Sequence, residues 1–247
     1  MIQPNLSIVL PAWNEAENLE LLLPELRKNL EQAGIQYEII VVDAGSKDRT
    51  IDVVRDNGGT YMLQTQPGYG GALLTGYAAA RGEYVATLDA DGSHDPASLL
   101  KMWAIRETAD VFIGSRYIAG GGSEADTFRK LLSWILNKTY RVFFDIPVLD
   151  LSSGFRLYNK KALNIEIHAR HFEFLEELLV KQFFLGCRIK EVPFWYRPRK
   201  FGESHAKLYA FGKLYLKSIA RLRADRHLVT WSTRSGELAS RSQAAGS

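Results

Sequence analysis

Apolar residues recur along this chain in two rhythms, and the rhythms alternate. Leu6-Ser7-Ile8-Val9-Leu10 is a short apolar run stopped by Pro11, the pattern of a strand. From Glu15 to Leu30 the apolar positions fall at Leu19, Leu22, Leu23, Leu26 and Leu30, a helical spacing. Tyr37 to Val42 is almost wholly apolar, as a strand buried on both faces requires. Asp48 to Arg55 predicts a short helix, Thr60 to Leu63 a third strand, and Gly68-Tyr69-Gly70-Gly71 opens a helix to Arg81. A fourth strand leads to Asp89. Pro96, suited to a first helical turn, starts a helix to Glu107, and Val111-Phe112-Ile113 is a fifth strand. Repeated βα units predict an α/β fold with a mostly parallel sheet flanked by helices.

The second half has a different character. Ala119 to Thr127 reads as a mobile loop. Phe128 to Phe144 predicts a helix whose apolar face carries Leu131, Leu132, Ile135, Leu136, Val142 and Phe143. Asp150 to Tyr158 reads as an irregular turn leading into a strand. Glu173 to Phe184 predicts a helix with Glu176 and Glu177 on its polar face, and Arg188 to Tyr196 a strand. Arg197 to Glu203 is a basic loop, and Ser204 to Leu222 a cationic amphipathic helix. The end, 230–247, is polar and small, the composition of a disordered tail.

Composition narrows the class. With 247 residues, 46% hydrophobic and 24% charged, the chain can bury a sizeable core. Its net charge of +3 singles out no nucleic-acid partner, and none is expected. One cysteine, Cys187, excludes a disulfide framework and suits a reducing, cytoplasmic compartment. The first residues lack a basic leader with an apolar run, so no signal peptide is expected. No apolar run reaches the roughly 18 residues of a membrane span. GxxxxGK[ST], GxGxxG and GxSxG motifs are absent, and the histidines show no metal-ligand spacing.

The chemistry gathers at Leu88-Asp89-Ala90-Asp91-Gly92-Ser93. Two carboxylates at a strand end are hard oxygen ligands of the kind Mg²⁺ or Mn²⁺ takes alongside water and substrate phosphate. Asp, Gly and Ser are also ordinary turn residues, so the stretch alone fits a turn equally well. Its surroundings favour a site. Glu15, Asp43, Asp89, Asp91 and Arg116 all follow expected strands, at the sheet end where ligands bind in such folds.

Six motifs then stand in order: Pro11-Ala12-Trp13-Asn14-Glu15, Val42-Asp43-Ala44-Gly45-Ser46-Lys47-Asp48, Asp89-Ala90-Asp91, Gly114-Ser115-Arg116-Tyr117, Ser153-Gly154-Phe155-Arg156 and Arg199-Lys200-Phe201-Gly202-Glu203-Ser204. Over roughly residues 6–222 the set resembles family 2 glycosyltransferases with the GT-A fold, and within them the dolichyl- or polyprenyl-phosphate mannose synthase branch. The resemblance implies an inverting, metal-dependent hexosyltransferase moving mannose from GDP-mannose to a polyprenyl phosphate. Glucose or an N-acetylhexosamine from a UDP-sugar is the alternative, with a lipid or a soluble acceptor. A non-catalytic binding module is a third reading, opposed by the intact carboxylate pair and arginines. Pro11, Trp13 and Glu15 would line the nucleotide pocket, and Asp43 would hydrogen-bond the base. Asp89 and Asp91 would hold Mg²⁺ or Mn²⁺, with Ser93 where some relatives have a further ligand. Arg116, Arg129, Ser133, Arg199 and Ser204 would face the phosphates. Ala44 and Tyr69 depart from the usual pattern. The resemblance also implies a single domain over 1–229, with a donor half at about 1–117 and an acceptor half at about 118–229.

A lipid acceptor raises the question of a membrane. Both late helices have basic residues around an apolar stripe: Arg129, Lys130, Lys138 and Arg141 in the first, Lys207, Lys213, Lys217 and Arg221 in the second. Such helices can lie in a headgroup plane, or pack the stripe on their own sheet. A peripheral enzyme on the cytoplasmic face of a membrane, with a possible anchoring subunit, is the expectation. For Phe128–Phe144 the expectation is a partly buried helix bordering the acceptor site.

Overall fold

The computed structural model describes residues 3–202, 212 and 214–224; Ser204, most of the first half of the cationic helix and the expected tail at 230–247 lie outside the described residues. Seven strands form the central sheet in the order β3-β2-β1-β4-β7-β5-β8. They are β1 (Leu6–Ala12), β2 (Tyr37–Asp43), β3 (Thr60–Leu63), β4 (Tyr84–Thr87), β5 (Val111–Ser115), β7 (Arg156–Asn159) and β8 (Ile189–Pro193). The small strands β6 (Gly122–Ser123) and β9 (Trp195–Tyr196) pair with each other. All neighbours in the large sheet are parallel except β7, which runs antiparallel between β4 and β5. The mostly parallel sheet expected from the βα rhythm is present.

Apolar side chains cover both faces of this sheet. Helix α1 (Ala16–Gln32) and helix α4 (Pro96–Ala104) bury Leu19, Leu22, Leu23, Leu26, Leu30, Leu99 and Met102 on one side. On the other lie α3 (Tyr69–Ala79), α5 (Thr127–Phe144), α6 (Phe174–Phe184) and a helix over 214–224, here α7. Their core includes Leu73, Tyr140, Phe144, Phe174, Leu178, Ile219 and Leu222. The short α2 (Thr50–Asp56) packs against α1. A buried Leu or Phe contributes about 1.5–3 kcal/mol, so the doubly covered sheet is a rigid platform for its loops.

Several expected boundaries are corrected. The fourth strand ends at Thr87, so Asp89 and Asp91 lie in the loop beyond it. The helix from Pro96 stops at Ala104, and a separate turn follows at Arg106–Thr108. The strand expected over Arg188–Tyr196 breaks after Pro193, and its last piece leaves the large sheet to pair with β6. Within the segment read as a mobile loop, Gly122–Ser123 is thereby a small strand. Trp195 lies flat on Gly122, where any Cβ would sit 2.3 Å from the ring, and its indole N–H donates to Glu124 at 2.9 Å.

The larger corrections concern faces. Glu176 and Glu177 are buried, not on a solvated face. Glu177 accepts from the backbone N–H of His168 and Ala169 and pairs with Lys181 at 2.9 Å. In α5 the buried residues are Asn137, Tyr140 and Phe144, while Phe128, Leu131, Trp134, Ile135, Val142 and Phe143 face out.

Candidate active site

The order β3-β2-β1-β4 reverses direction at β1, and a crevice opens beyond the carboxyl ends of β1 and β4. The loop after β4 supplies its acidic floor. Asp91 accepts from the N–H of Ser93 at 3.0 Å, the local turn that residues such as Asp favour. Asp89 accepts from the Tyr69 hydroxyl at 2.9 Å, and Gly154 leaves room for that bond: a Cβ there would stand 2.6 Å from the tyrosine oxygen. Buried His94 accepts from the Asp89 N–H at 3.0 Å and stacks on Phe155. A third of the Asp89 side chain still meets solvent, yet dense surrounding protein makes its charge costly. Burial first, then Asp91 against the counter-pull of His94, leaves its carboxyl above the usual range.

Two stitched loops form the β1–β2 side. Asn14 adopts φ 54°, a conformation Asn tolerates, and its side chain accepts from the Lys47 N–H at 2.8 Å. Its own N–H donates to Ser46 Oγ at 2.7 Å. Asp43 is fully buried and accepts from the N–H groups of Gly45 and Ser46, the Ser46 hydroxyl and the Tyr61 hydroxyl. Its carboxylate shapes this loop. β1 is not stopped by Pro11 but runs through it to Ala12, and beyond it Trp13 stands about half exposed. Burial, opposed by Asn18 and Arg199, raises the Glu15 carboxyl above its ordinary value, and Asp91 and Asp89 add to the rise.

The basic side starts at the end of β5. Arg116 forms a fork with buried Asp150, Nε to Oδ2 at 2.7 Å and Nη2 to Oδ1 at 2.6 Å, and its backbone N–H donates to the same carboxylate at 2.9 Å. Nη2 also donates to Ser152 at 2.9 Å and to Ser133 of α5 at 3.2 Å. Burial opposes the guanidinium charge, but Asp150 outweighs it and holds Arg116 above its ordinary value. Glu191 of β8 accepts the N–H groups of Leu149 and Asp150, which fixes the carboxylate's approach. Arg129 lies in the first turn of α5, paired with Asp126 at 3.3 Å. Its charge and that of Arg116 reach Tyr196, as do Asp89 and Asp91; burial chiefly lifts that phenol. Tyr196 thus marks where the acidic and basic sides meet.

Loop 197–202 crosses the crevice. Arg199 contacts Asp91 at 3.1 Å and Glu15 at 3.3 Å. The crevice therefore brings together Glu15, Asp89, Asp91, Arg116, Ser133 and Arg199; Ser204 lies outside the described residues. Asn137, Asp150, Ser152 and Tyr196 were not singled out for the site by sequence; Tyr69 stood out only as a departure from the family pattern, and His94 only as the histidine beside the carboxylates. The readable signals were Asn137, a polar residue within an apolar helical stripe, and Tyr69 beside the helix-opening glycines.

Comparison with known proteins fits this arrangement. Residues 7–165 match the model of Glycosyl transferase family 2. The chain is 34% identical over 229 residues to a dolichol-phosphate mannosyltransferase of Pyrococcus furiosus, covering 87% of this chain and 63% of that protein. It thus spans somewhat under two thirds of that relative's length. It is 31% identical over 210 residues to an undecaprenyl-phosphate mannosyltransferase of Micrococcus luteus, covering 79% of this chain and 85% of that one. Glucosyl-3-phosphoglycerate synthase from Mycobacterium tuberculosis, solved with Mn²⁺, UDP and glucosyl-3-phosphoglycerate, superposes with a TM-score of 0.71 at 20% identity, covering 89% of this chain and 80% of that one. That likeness shows the GT-A fold. By the family model and by these relatives, the chain belongs to glycosyltransferase family 2.

Proposed function

We propose that the protein is an inverting glycosyltransferase that moves mannose from GDP-mannose onto a polyprenyl phosphate. The observation that carries this reading is the position of α5. One face puts Ser133 on Arg116, and the opposite face offers Phe128, Trp134 and Val142 outward. An acceptor with an anionic head and an apolar tail matches both faces. The names of the Pyrococcus and Micrococcus relatives support the same acceptor class.

The residues at β4 fit a divalent cation. Asp89 and Asp91 are hard oxygen donors whose carboxylates raise one another's energy, and Ser93 Oγ is buried without a partner among the described residues. Among the described residues no three acidic, His or Cys side chains could enclose a metal ion alone. That suits a cation completed by phosphate and water. When bound, it would stabilise charge growing on the departing nucleotide.

The chain's own groups would do the rest. Pro11, Trp13 and Glu15 would border the nucleotide, with Asp43 acting through the loop it holds. Arg116, held rigid by Asp150, and Arg129, Ser133, Arg199 and Ser204 would orient the phosphates; arginine's planar fork suits such groups. The attacking phosphate oxygen is already anionic near neutral pH, so no general base is required. Residues 1–117 would form the donor half and 118–229 the acceptor half. No described helix is long and apolar enough to cross a membrane. The enzyme would sit peripherally on the cytoplasmic face, with an anchoring subunit as the alternative.

The test offers radiolabelled GDP-mannose, UDP-glucose and UDP-GlcNAc with polyprenyl phosphate and Mg²⁺ or Mn²⁺. Label should enter the organic phase from GDP-mannose and be abolished by EDTA and by Asp91→Ala. Transfer from a UDP-sugar alone overturns the donor, and full activity in EDTA overturns the metal role.

A further inference from the structure

We infer that Arg199, which bridges Asp91 and Glu15, takes the cation's place on Asp91 and gives it up only to a nucleotide diphosphate, so cation and nucleotide load together. This rests on the proposed metal role of Asp89 and Asp91. The geometry is that of a bridge. One guanidinium arm contacts Asp91 at 3.1 Å and the other Glu15 at 3.3 Å, and the two carboxylates come from different strand ends. The short loop is fastened on both sides of this bridge. Arg197 donates its N–H to the Ser93 carbonyl at 3.3 Å. Phe201 is tied to Asn18 of α1 twice, Asn18 Nδ2 to its carbonyl at 3.2 Å and its N–H to Asn18 Oδ1 at 3.3 Å. The contacts therefore join β4's loop, β1's loop and α1 through one strap.

A divalent cation on Asp91 and a guanidinium on the same carboxylate are like charges competing for one partner. At a few ångströms in a partly buried site that repulsion is only weakly screened. A cation arriving alone must displace Arg199 and leave it facing positive charge. A cation arriving with a diphosphate brings an anion that receives the arginine's planar fork. By linkage, each ligand then strengthens the other by the same factor, and Arg199 is a source of that coupling.

The experiment measures Mn²⁺ binding by electron paramagnetic resonance of the free ion, alone and with GDP or UDP, in the parent, Arg199→Gln, Arg199→Lys and Asp91→Asn. The parent should bind Mn²⁺ weakly alone and at least about tenfold more tightly with its nucleotide, the scale of one charge-assisted bond. R199Q should bind Mn²⁺ alone about tenfold more tightly than the parent and gain little from nucleotide. R199K, which keeps the charge but not the fork, should fall between them. Equal Mn²⁺ affinity of parent and R199Q without nucleotide, or equal enhancement by nucleotide in both, overturns the inference while leaving the metal site standing. Parent-like Mn²⁺ binding by D91N overturns the metal reading itself, and the inference with it.

Discussion

Helices α5 and α7 look alike in sequence and are built in opposite senses. Both are cationic with an apolar stripe. In α7 the stripe turns inward: Ile219 and Leu222 are buried in the core, Tyr215 packs against it, and Leu216 and Lys217 are exposed. In α5 it turns outward, with Phe128 65%, Trp134 49% and Val142 74% exposed, while Asn137 and Tyr140 are buried. The difference lies in what each helix must meet. α7 meets the apolar cluster beside α5 and α6, with Tyr215 edge-on to Tyr140, while its Arg221 reaches buried Glu177 at 3.7 Å. Below the first half of α5 is the Arg116–Asp150 pair, which needs Ser133 and Asn137 for hydrogen bonds. A stripe of apolar residues says that a helix has an apolar side, not which neighbour takes it. The two remain joined, since Arg223 of α7 lies over the Phe143 ring at 5.4 Å.

The sharpest way to break the contrast is Arg116→Ala. It leaves Asp150 buried beside α5 without its charge partner, so the expected cost is about 3–5 kcal/mol in stability, together with loss of transfer. Chemical denaturation checks it, and an unchanged midpoint means that the polar seam does not hold α5. Leu222→Ala attacks the apolar seam of α7 and should cost about 2–5 kcal/mol with vesicle binding unchanged. Phe128→Ser combined with Val142→Ser should do the reverse. Vesicle co-sedimentation should fall about a hundredfold, because each exposed side chain contributes about 1.5 kcal/mol or more when buried in lipid, while the melting temperature stays put. Equal sedimentation would show that this face meets something other than lipid.

The effect that depends on pH lies between the two helices. Glu176 is buried near Tyr140 of α5 and Tyr215 of α7, and burial, opposed by Arg156, pushes its carboxyl up to about 8. The folded protein therefore holds this proton more tightly than the unfolded chain, whose carboxyl titrates near 4.5. Its contribution to stability is full below about pH 4.5 and is lost as pH rises towards 8. Glu176→Gln should remove that decline. Melting temperatures at pH 5 and pH 8 check it, the parent falling by about ten degrees relative to the variant.

The first half of the chain was legible because strand and helix rhythms there agree with burial on both faces of one sheet. Leu19 to Leu30 point where their spacing says, and Glu15, Asp43, Asp89 and Arg116 follow strand ends in a fold that places ligands there. The second half was less so. Glu176 and Glu177 are acidic residues inside a core: Glu177 is met by Lys181 one helical turn on and by the His168 and Ala169 N–H groups of the preceding segment, and Glu176 lies near Arg156, twenty residues earlier on β7. Asp150 acquires its meaning only when β7 inserts antiparallel and brings its approach loop under Arg116. Such pairings depend on tertiary placement, which local periodicity does not carry.

The central claim is that α5 presents a lipid to Arg116. The most direct measurement compares kcat/KM for a long-chain polyprenyl phosphate in vesicles with that for a short, water-soluble polyprenyl phosphate, in the parent and in the Phe128→Ser, Val142→Ser double variant. The account predicts that the variant loses transfer to the long-chain acceptor and keeps transfer to the short one. Equal losses on both acceptors, or none on either, would contradict it.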